Sequence, residues 1–262
     1  YRGMDIGTAK PGARERERVP HYMVDVLEPE QDCSVRWFQQ AARDAIADVH
    51  RRGAVPLLVG GSGLYFRGVV DPLEFPPTDP AVRAGVEARH PTASSAHAAL
   101  READPDAAAA MDPANRRRAV RALEVIELTG RPFSSFRTAW EHHDSVYPAL
   151  RVLGADVPRQ ELVARIDART DAMLAAGWLE EARALRDRAL SSTARQALGY
   201  AELFDHLDGR CTLDEAAERI RARTRRYAAY QARWFCADPR VAWRAPSELV
   251  DDLTRELAAC AS

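Results

Sequence analysis

Three glycines follow an apolar, β-prone run in LLVGGSGLYF (57–66). Gly60, Gly61 and Gly63 have no side chain to hold a ligand off the backbone. Their amides can therefore approach a phosphate, and the N-terminus of an ensuing helix adds partial positive charge. The loop is not a Walker A loop, because G-x-x-x-x-G-K-[ST] occurs nowhere in the 262 residues. A plain structural turn fits the same residues, and both readings stand. Arg169 is the second feature. In RQELVARIDARTDAMLAAG, Leu162, Ile166, Arg169 and Met173 recur at helical spacing, which sets a guanidinium on an apolar stripe. Such a group snorkels to water, pairs with a carboxylate or meets an anionic ligand. Two basic helix faces come third. Arg117, Arg118, Arg121 and Glu124 lie opposite an apolar face of Ala119, Ala122, Leu123 and Ile126. Arginines so grouped suit a phosphate backbone, although an ordinary solvated face has the same pattern. Arg219, Arg223, Arg226, Tyr230 and Arg233 form one stripe on a longer helix, and basic residues with an interleaved aromatic suit RNA. Finally, the Gly-bearing opening YRGMDIGTAKPG holds Lys10, the only lysine among 37 basic residues.

The elements that must position these residues follow from periodicity. HYMVDVLEP (21–29) and VPLLV (55–59) predict strands, with a helix between them capped by Ser34 and stopping near Gly53. Strand, helix, strand, Gly-rich turn and helix is the order of a parallel α/β sheet. Residues 76–113 are rich in Pro, Ala and charge and contain no strand candidate, which predicts a small helical insertion. NRRRAVRALEVIELTG is a helix ending at Gly130, and LRVLGADV (150–157) is a further strand. From Pro158 nearly everything is helix (158–176, 178–190, about 192–207, then Thr212 to about Cys236), before a short strand at RVAW and a last helix. The expected domains are an α/β body of residues 1–75 and 114–262 and a helical insertion of 76–113.

Composition narrows the class. The chain is 46% hydrophobic and 29% charged, and no apolar run is long enough to span a bilayer. A formal charge of -2 argues against a uniformly basic nucleic-acid coat but leaves room for a local basic face. Cys33, Cys211, Cys236 and Cys260 are far apart, without a C-x-x-C pair. That spacing predicts a reducing compartment, the cytoplasm, with neither a disulfide framework nor a structural zinc. No protein-held metal site is expected.

The stretches YRGMDIGTAKP, VPHYMVDVLEP, PLLVGGSGLYFRGV, TDPAVR, NRRRAVRALEVIELTGRP, AAGWLEEARAL, QALGYAEL and TRRYA..Q.RWF occur in this order. Together they resemble the bacterial tRNA dimethylallyltransferases, the tRNA isopentenyltransferase family, over essentially the whole chain. The resemblance implies a P-loop-kinase-like parallel sheet flanked by helices, with a small helical insertion and a largely helical C-terminal half. Family members begin with a strand, a P-loop of the G-P-T-x-S-G-K-[ST] type, a helix and a strand ending in D-S-x-Q. By that pattern this sequence starts just past the second strand. The P-loop and the general-base Asp then lie outside it, and the 262 residues alone are expected to be an inactive fragment of an active parent.

The implied reaction moves the five-carbon group of dimethylallyl diphosphate to N6 of the adenosine beside the anticodon. It requires a base for the amine proton, cations and Mg²⁺ for the leaving diphosphate, and a channel that excludes water. The target base must also leave its stack. By motif, Arg169 corresponds to the arginine at the diphosphate, and Thr8, Lys10, Gly60, Gly61 and Gly63 join it on that side. Ser62, Arg83, the segment Arg117, Arg118, Ala119, Val120 and Arg121, and the segment Gln196, Ala197, Leu198, Gly199, Tyr200 and Ala201 match positions that touch tRNA. Residues 76–113 match the insertion that closes on the anticodon arm. A monomer is expected. Two departures stand out: Ala229 and Tyr230 replace a usual basic pair, and the insertion is short. A P-loop-type small-molecule phosphotransferase and a non-catalytic RNA-binding fragment are the alternatives.

Overall fold

The computed structural model describes residues 1–136 and 142–260. Helices begin where the sequence supplies a side-chain acceptor for their unpaired N–H groups. After a short α1 (Ala13–Arg18), Ser34 Oγ accepts the Trp37 N–H and opens α2 (Val35–Arg51). The GGSG turn runs directly into α3 (Gly63–Val70). Residues 76–113 are helical: α4 (Pro80–Arg89), α5 (Ala93–Ala103) and α6 (Pro105–Ala109) start at Asp79, Thr92 and Asp104, each accepting N–H bonds from the first turn. Asn115 caps α7 (Arg116–Thr129), which stops at Gly130 in the left-handed conformation that glycine adopts without a Cβ clash. After β1 (Val152–Ala155) come α8 (Arg159–Ala175), α9 (Trp178–Arg186), α10 (Ser192–Arg195), α11 (Tyr200–Leu207) and α12 (Leu213–Cys236). β2 (Val241–Arg244) and α13 (Pro246–Cys260) follow.

β1 and β2 pair in parallel, with Val152 opposite Val241 and Ala155 opposite Arg244. Nearly all the chain between them is helix, as a parallel crossover requires. Among the described residues this pair is the only sheet. The molecule is thus mostly helical, with a two-stranded parallel sheet.

The strands expected over 21–29 and 55–59 do not form, and each fails for its own reason. In the first, Met23 and Asp25 have φ of 61° and 57°, which no pleated strand accommodates. The segment instead folds onto the opening loop, where Arg2 N–H donates to Leu27 C=O at 2.9 Å. In the second, no ladder bond reaches Val55–Val59, and Val55, Leu57, Leu58 and Val59 are all exposed. A β-prone run becomes a strand only when another strand satisfies its backbone. The expected helix at 192–207 is also interrupted, because Gly199 takes φ of 93° between α10 and α11.

The chain divides into two compact units, residues 1–69 with 149–262, and residues 70–148. The first buries Met4, Trp178, Leu185, Tyr200, Leu203 and Ile220 together. The second packs Val86 of α4 and Leu100 of α5 against Ala119, Val120 and Ala122 of α7.

Candidate functional site

In the first unit the Gly-rich turn is held by α12. Gln231 Nε2 donates to Gly61 C=O at 2.7 Å, and the Trp234 ring lies where a Cβ on Gly63 would stand. A Cβ on Gly61 would overlap the Gln231 amide, whereas the space at Gly60 is open. Close approach to α12 therefore explains two of the three glycines. The N–H groups of Gly60, Gly61 and Gly63 donate to no protein acceptor among the described residues. They sit at the start of α3, where Ser62 C=O accepts the Phe66 N–H. Both the structural and the ligand readings of GGSG thus have their own residues.

Arg169 is exposed, contrary to the apolar-stripe reading. The buried face of α8 is Ile166 and Thr170, with Thr170 Oγ1 donating back to Ile166 C=O. Arg169 falls one position off that face. It has no ion-pair partner among the described residues, so the internal-pair alternative finds no support, and its guanidinium is open to an anion.

Lys10 has a different environment from the one its proposed role needs. Its Nζ donates to Tyr1 C=O at 2.7 Å, to Asp25 at 2.5 Å, and to Asp5. An ammonium has three donors, and all are engaged. Burial lowers its pKa, but the Asp25 and Asp5 carboxylates outweigh this and hold it above its ordinary value. Thr8 Oγ1 donates to Met4 C=O at 2.5 Å, which leaves only its lone pairs free. Lys10 and Thr8 therefore tie the opening loop together rather than offering protons to a diphosphate.

The opening loop is also gripped from α9. Glu181 accepts the N–H groups of Asp5, Ile6 and Gly7 at 2.7, 2.8 and 3.0 Å, and the Tyr200 hydroxyl at 2.7 Å. Burial first, then the Glu181 carboxylate, push the Tyr200 phenol well above its usual range. Tyr200 is fully buried, Gly199 is buried, Ala197 and Leu198 are half-buried, and Gln196 and Ala201 are exposed. Of that expected tRNA segment, side chains at Gln196 and Ala201 face solvent, while Tyr200 faces inward.

The long basic stripe separates into two parts. Arg219 pairs with Asp205, Arg223 with Glu202, and Arg225 with Asp167. Arg226 and Arg233 have no ion-pair partner among the described residues and lie beside Tyr227 and Tyr230. Those two rings stack with centroids 6.5 Å apart and planes 25° from parallel. Tyr230, one of the two residues expected to stand in place of a basic pair, is one ring of this stacked pair.

The second unit carries the other arginines. Glu124 is fully buried, which corrects its placement on a solvated face. It accepts Thr78 Oγ1 at 2.7 Å, the Asp79 N–H at 2.9 Å, and both Nε and Nη2 of Arg83 at 3.0 and 2.8 Å, and it pairs with Arg121 at 2.9 Å. Arg121 also donates to the Pro76 and Pro77 carbonyls. Arg83 and Arg121 are thus fixed in place, whereas Arg117 and Arg118 are exposed. Ala119 and Val120 lie in the core, so no side chain of theirs reaches a ligand.

Periodicity misplaces Glu124 and passes over Glu181, Gln231 and Trp234. A signal exists for two of them. Glu124 lies four residues after buried Val120, and Glu181 three after buried Trp178, so each acid shares a stripe with a core residue. Among the described residues no group of three or more His, Cys, Asp or Glu is placed to hold a metal ion. These side chains do not by themselves fit a Mg²⁺ site. No helix of the described residues is long and apolar enough to cross a membrane.

Comparison with known proteins places this geometry in context. The family model described as IPP transferase matches residues 1–238. A tRNA dimethylallyltransferase of Kineococcus radiotolerans is 51% identical over 93% of this chain and 77% of its own length. The crystal structure of the full-length tRNA isopentenylpyrophosphate transferase of Bacillus halodurans superposes with a TM-score of 0.67 at 37% identity, covering 99% of this chain and 86% of that one. A eukaryotic dimethylallyltransferase crystallised acting on tRNA gives a TM-score of 0.76 at 25% identity, over 93% of this chain and 64% of that one.

Proposed function

The chain belongs to the IPP transferase family, and from that premise we propose that it transfers a dimethylallyl group from dimethylallyl diphosphate to N6 of the adenosine adjacent to the tRNA anticodon. The observation that carries the reading is the match itself, which spans residues 1–238 and so takes in the opening loop, the Gly-rich turn, Arg169 and the basic helices. The geometry supports it by leaving the right groups free. We assign the diphosphate to the Gly60, Gly61 and Gly63 amides and to Arg169, a fork of donors with no ion-pair partner among the described residues. Preorganised donors of this kind stabilise charge on a leaving diphosphate without reorganising at the moment of transfer. Lys10 and Thr8 hold the opening loop in shape. Mg²⁺ is expected to travel on the diphosphate oxygens.

For the RNA, we propose that Arg117 and Arg118 take backbone phosphates. Arg83 and Arg121 present their remaining donors from a geometry set by Glu124. Ser62, Gln196 and Ala201 contribute on the first unit, and Arg226, Tyr227, Tyr230 and Arg233 offer two cations around an aromatic pair, which suits an unstacked base. The helices of 76–113, which pack with α7 in the unit of residues 70–148 rather than standing apart from 114–148, contact the anticodon arm. The fold is read as a P-loop-kinase-like parallel sheet in which the exposed run Val55–Val59 is a strand when paired.

The test is transfer of labelled dimethylallyl groups by the intact protein to unmodified tRNA with an adenosine-rich anticodon loop. Product carrying the label at N6 of the adenosine beside the anticodon is expected. ATP consumption without prenylated RNA would instead identify a phosphotransferase.

A further inference from the structure

Three consecutive backbone N–H groups converging on one point form a nest, a concavity that binds anions. In this chain the nest of Asp5, Ile6 and Gly7 is filled from within by the Glu181 carboxylate, which also takes the Tyr200 hydroxyl proton in a hydrogen bond of 2.7 Å. Four charge-assisted bonds use all of the carboxylate's acceptor sites. The indole beside it completes the junction. Trp178 is buried with its Nε1 unpartnered, and it fills the space where a Cβ on Gly7 or on Gly199 would stand. One side of this junction is therefore the opening loop that carries Thr8 and Lys10. The other side is the Gln196–Ala201 segment.

We propose that Glu181 is a positioning residue for prenyl transfer, coupling the opening loop to the 196–201 segment so that the loop and the tRNA side of the site move as one body. The inference rests on the functional reading above and names a residue that touches neither substrate. Half-buried Glu181 is bonded by both segments at once, so a displacement of one is passed to the other.

Amide hydrogen exchange on the intact protein tests this without any substitution. Adding tRNA alone should slow exchange at residues 5–7 and at 199–201 together. Protection of one segment with the other unchanged overturns the coupling. Glu181→Gln supplies the kinetic arm, since an amide can satisfy only part of the nest. Misplacement by about 1 Å costs on the order of 10²-fold in turnover. A fall in kcat of about that size at saturating concentrations of both substrates is expected, and Tyr200→Phe, which keeps the nest filled but cuts the bond to the 196–201 segment, should lower kcat as well. A Glu181→Gln enzyme with the parental kcat per folded molecule, whatever its melting temperature, refutes the positioning role. A parent that prenylates no tRNA overturns the functional reading and this inference with it. A parent that prenylates tRNA while its two segments respond independently overturns the inference alone.

Discussion

Glu124→Gln removes the charge that aims two arginines while keeping the side chain's shape. The carboxylate is fully enclosed. Burial alone would raise its pKa, but the Thr78 hydroxyl, the Asp79 N–H, and the Arg121 and Arg83 guanidinium groups together hold it at about 2 against an ordinary 4.5. That gap, at about 1.4 kcal/mol per pH unit, corresponds to about 3 kcal/mol of folding stability. Because the folded-state pKa is the lower one, the contribution is complete above about pH 4.5 and disappears as pH falls toward about 2. The substitution also leaves Arg83 and Arg121 facing a neutral amide. Breaking a buried pair costs about 3–5 kcal/mol, but these guanidinium groups are 42% and 27% exposed and regain water. A net loss of about 2–3 kcal/mol at pH 7 follows. The assay is urea unfolding of parent and variant at pH 7 and in steps from pH 5 to 2. The two curves should stand apart at pH 7 and converge toward pH 2. In parallel, tRNA affinity should fall, although the replaced group is sealed from solvent. Equal stability at pH 7, or a constant offset between pH 5 and 2, refutes the account of Glu124 as a buried charge anchored by its arginines.

Arg169→Ala should raise KM for dimethylallyl diphosphate and lower kcat, with thermal stability unchanged because the side chain is exposed and has no ion-pair partner among the described residues; steady-state kinetics with a melting curve decide it, and unchanged kinetics refute the assignment. Replacing Arg117 and Arg118 together by Ala should weaken tRNA binding and flatten its log–log salt dependence by about 0.7–0.9 for each phosphate that is no longer neutralised. Equal slopes in filter-binding titrations would show a merely solvated face. Gly63→Ala should destabilise by about 1–3 kcal/mol in urea melts, as overpacking does, because the bulky Trp234 ring occupies the place of the new Cβ. Gly61→Ala should cost less, since the Gln231 amide is the movable end of a flexible chain, and the reverse order would contradict this packing.

Local chemistry writes much of this protein in plain view. Ser34, Asn115 and Thr212 announce helix starts because a side-chain oxygen and the N–H it caps lie within one turn. Gly130 announces an end because only its own φ matters. The motif order from YRGMDIGTAKP to TRRYA..Q.RWF is equally readable, since it needs no knowledge of what touches what. The strands at 150–157 and 240–243 appear where β-prone apolar residues put them, because each finds the other as a partner.

What periodicity cannot reach is the inside of the site. A helical wheel gives Arg169 and Glu124 their angles but not the bodies that pack around them. Arg169 lies just past the Ile166–Thr170 edge of its helix and is exposed, while Glu124 is closed over by Thr78, Asp79 and Arg83 from another part of the chain. Lys10 reads as a lone cation beside a Gly-rich loop until Asp5 and Asp25 fold onto it and, with the Tyr1 carbonyl, occupy every donor. The run at 55–59 carries the composition of a strand, yet composition cannot supply the neighbour that makes one. Capping and turn preferences involve atoms a few residues apart and are determined by the sequence itself. Burial, ion pairing and strand pairing join atoms far apart along the chain, as Glu181 joins Gly7 to Tyr200, and only the tertiary structure decides them.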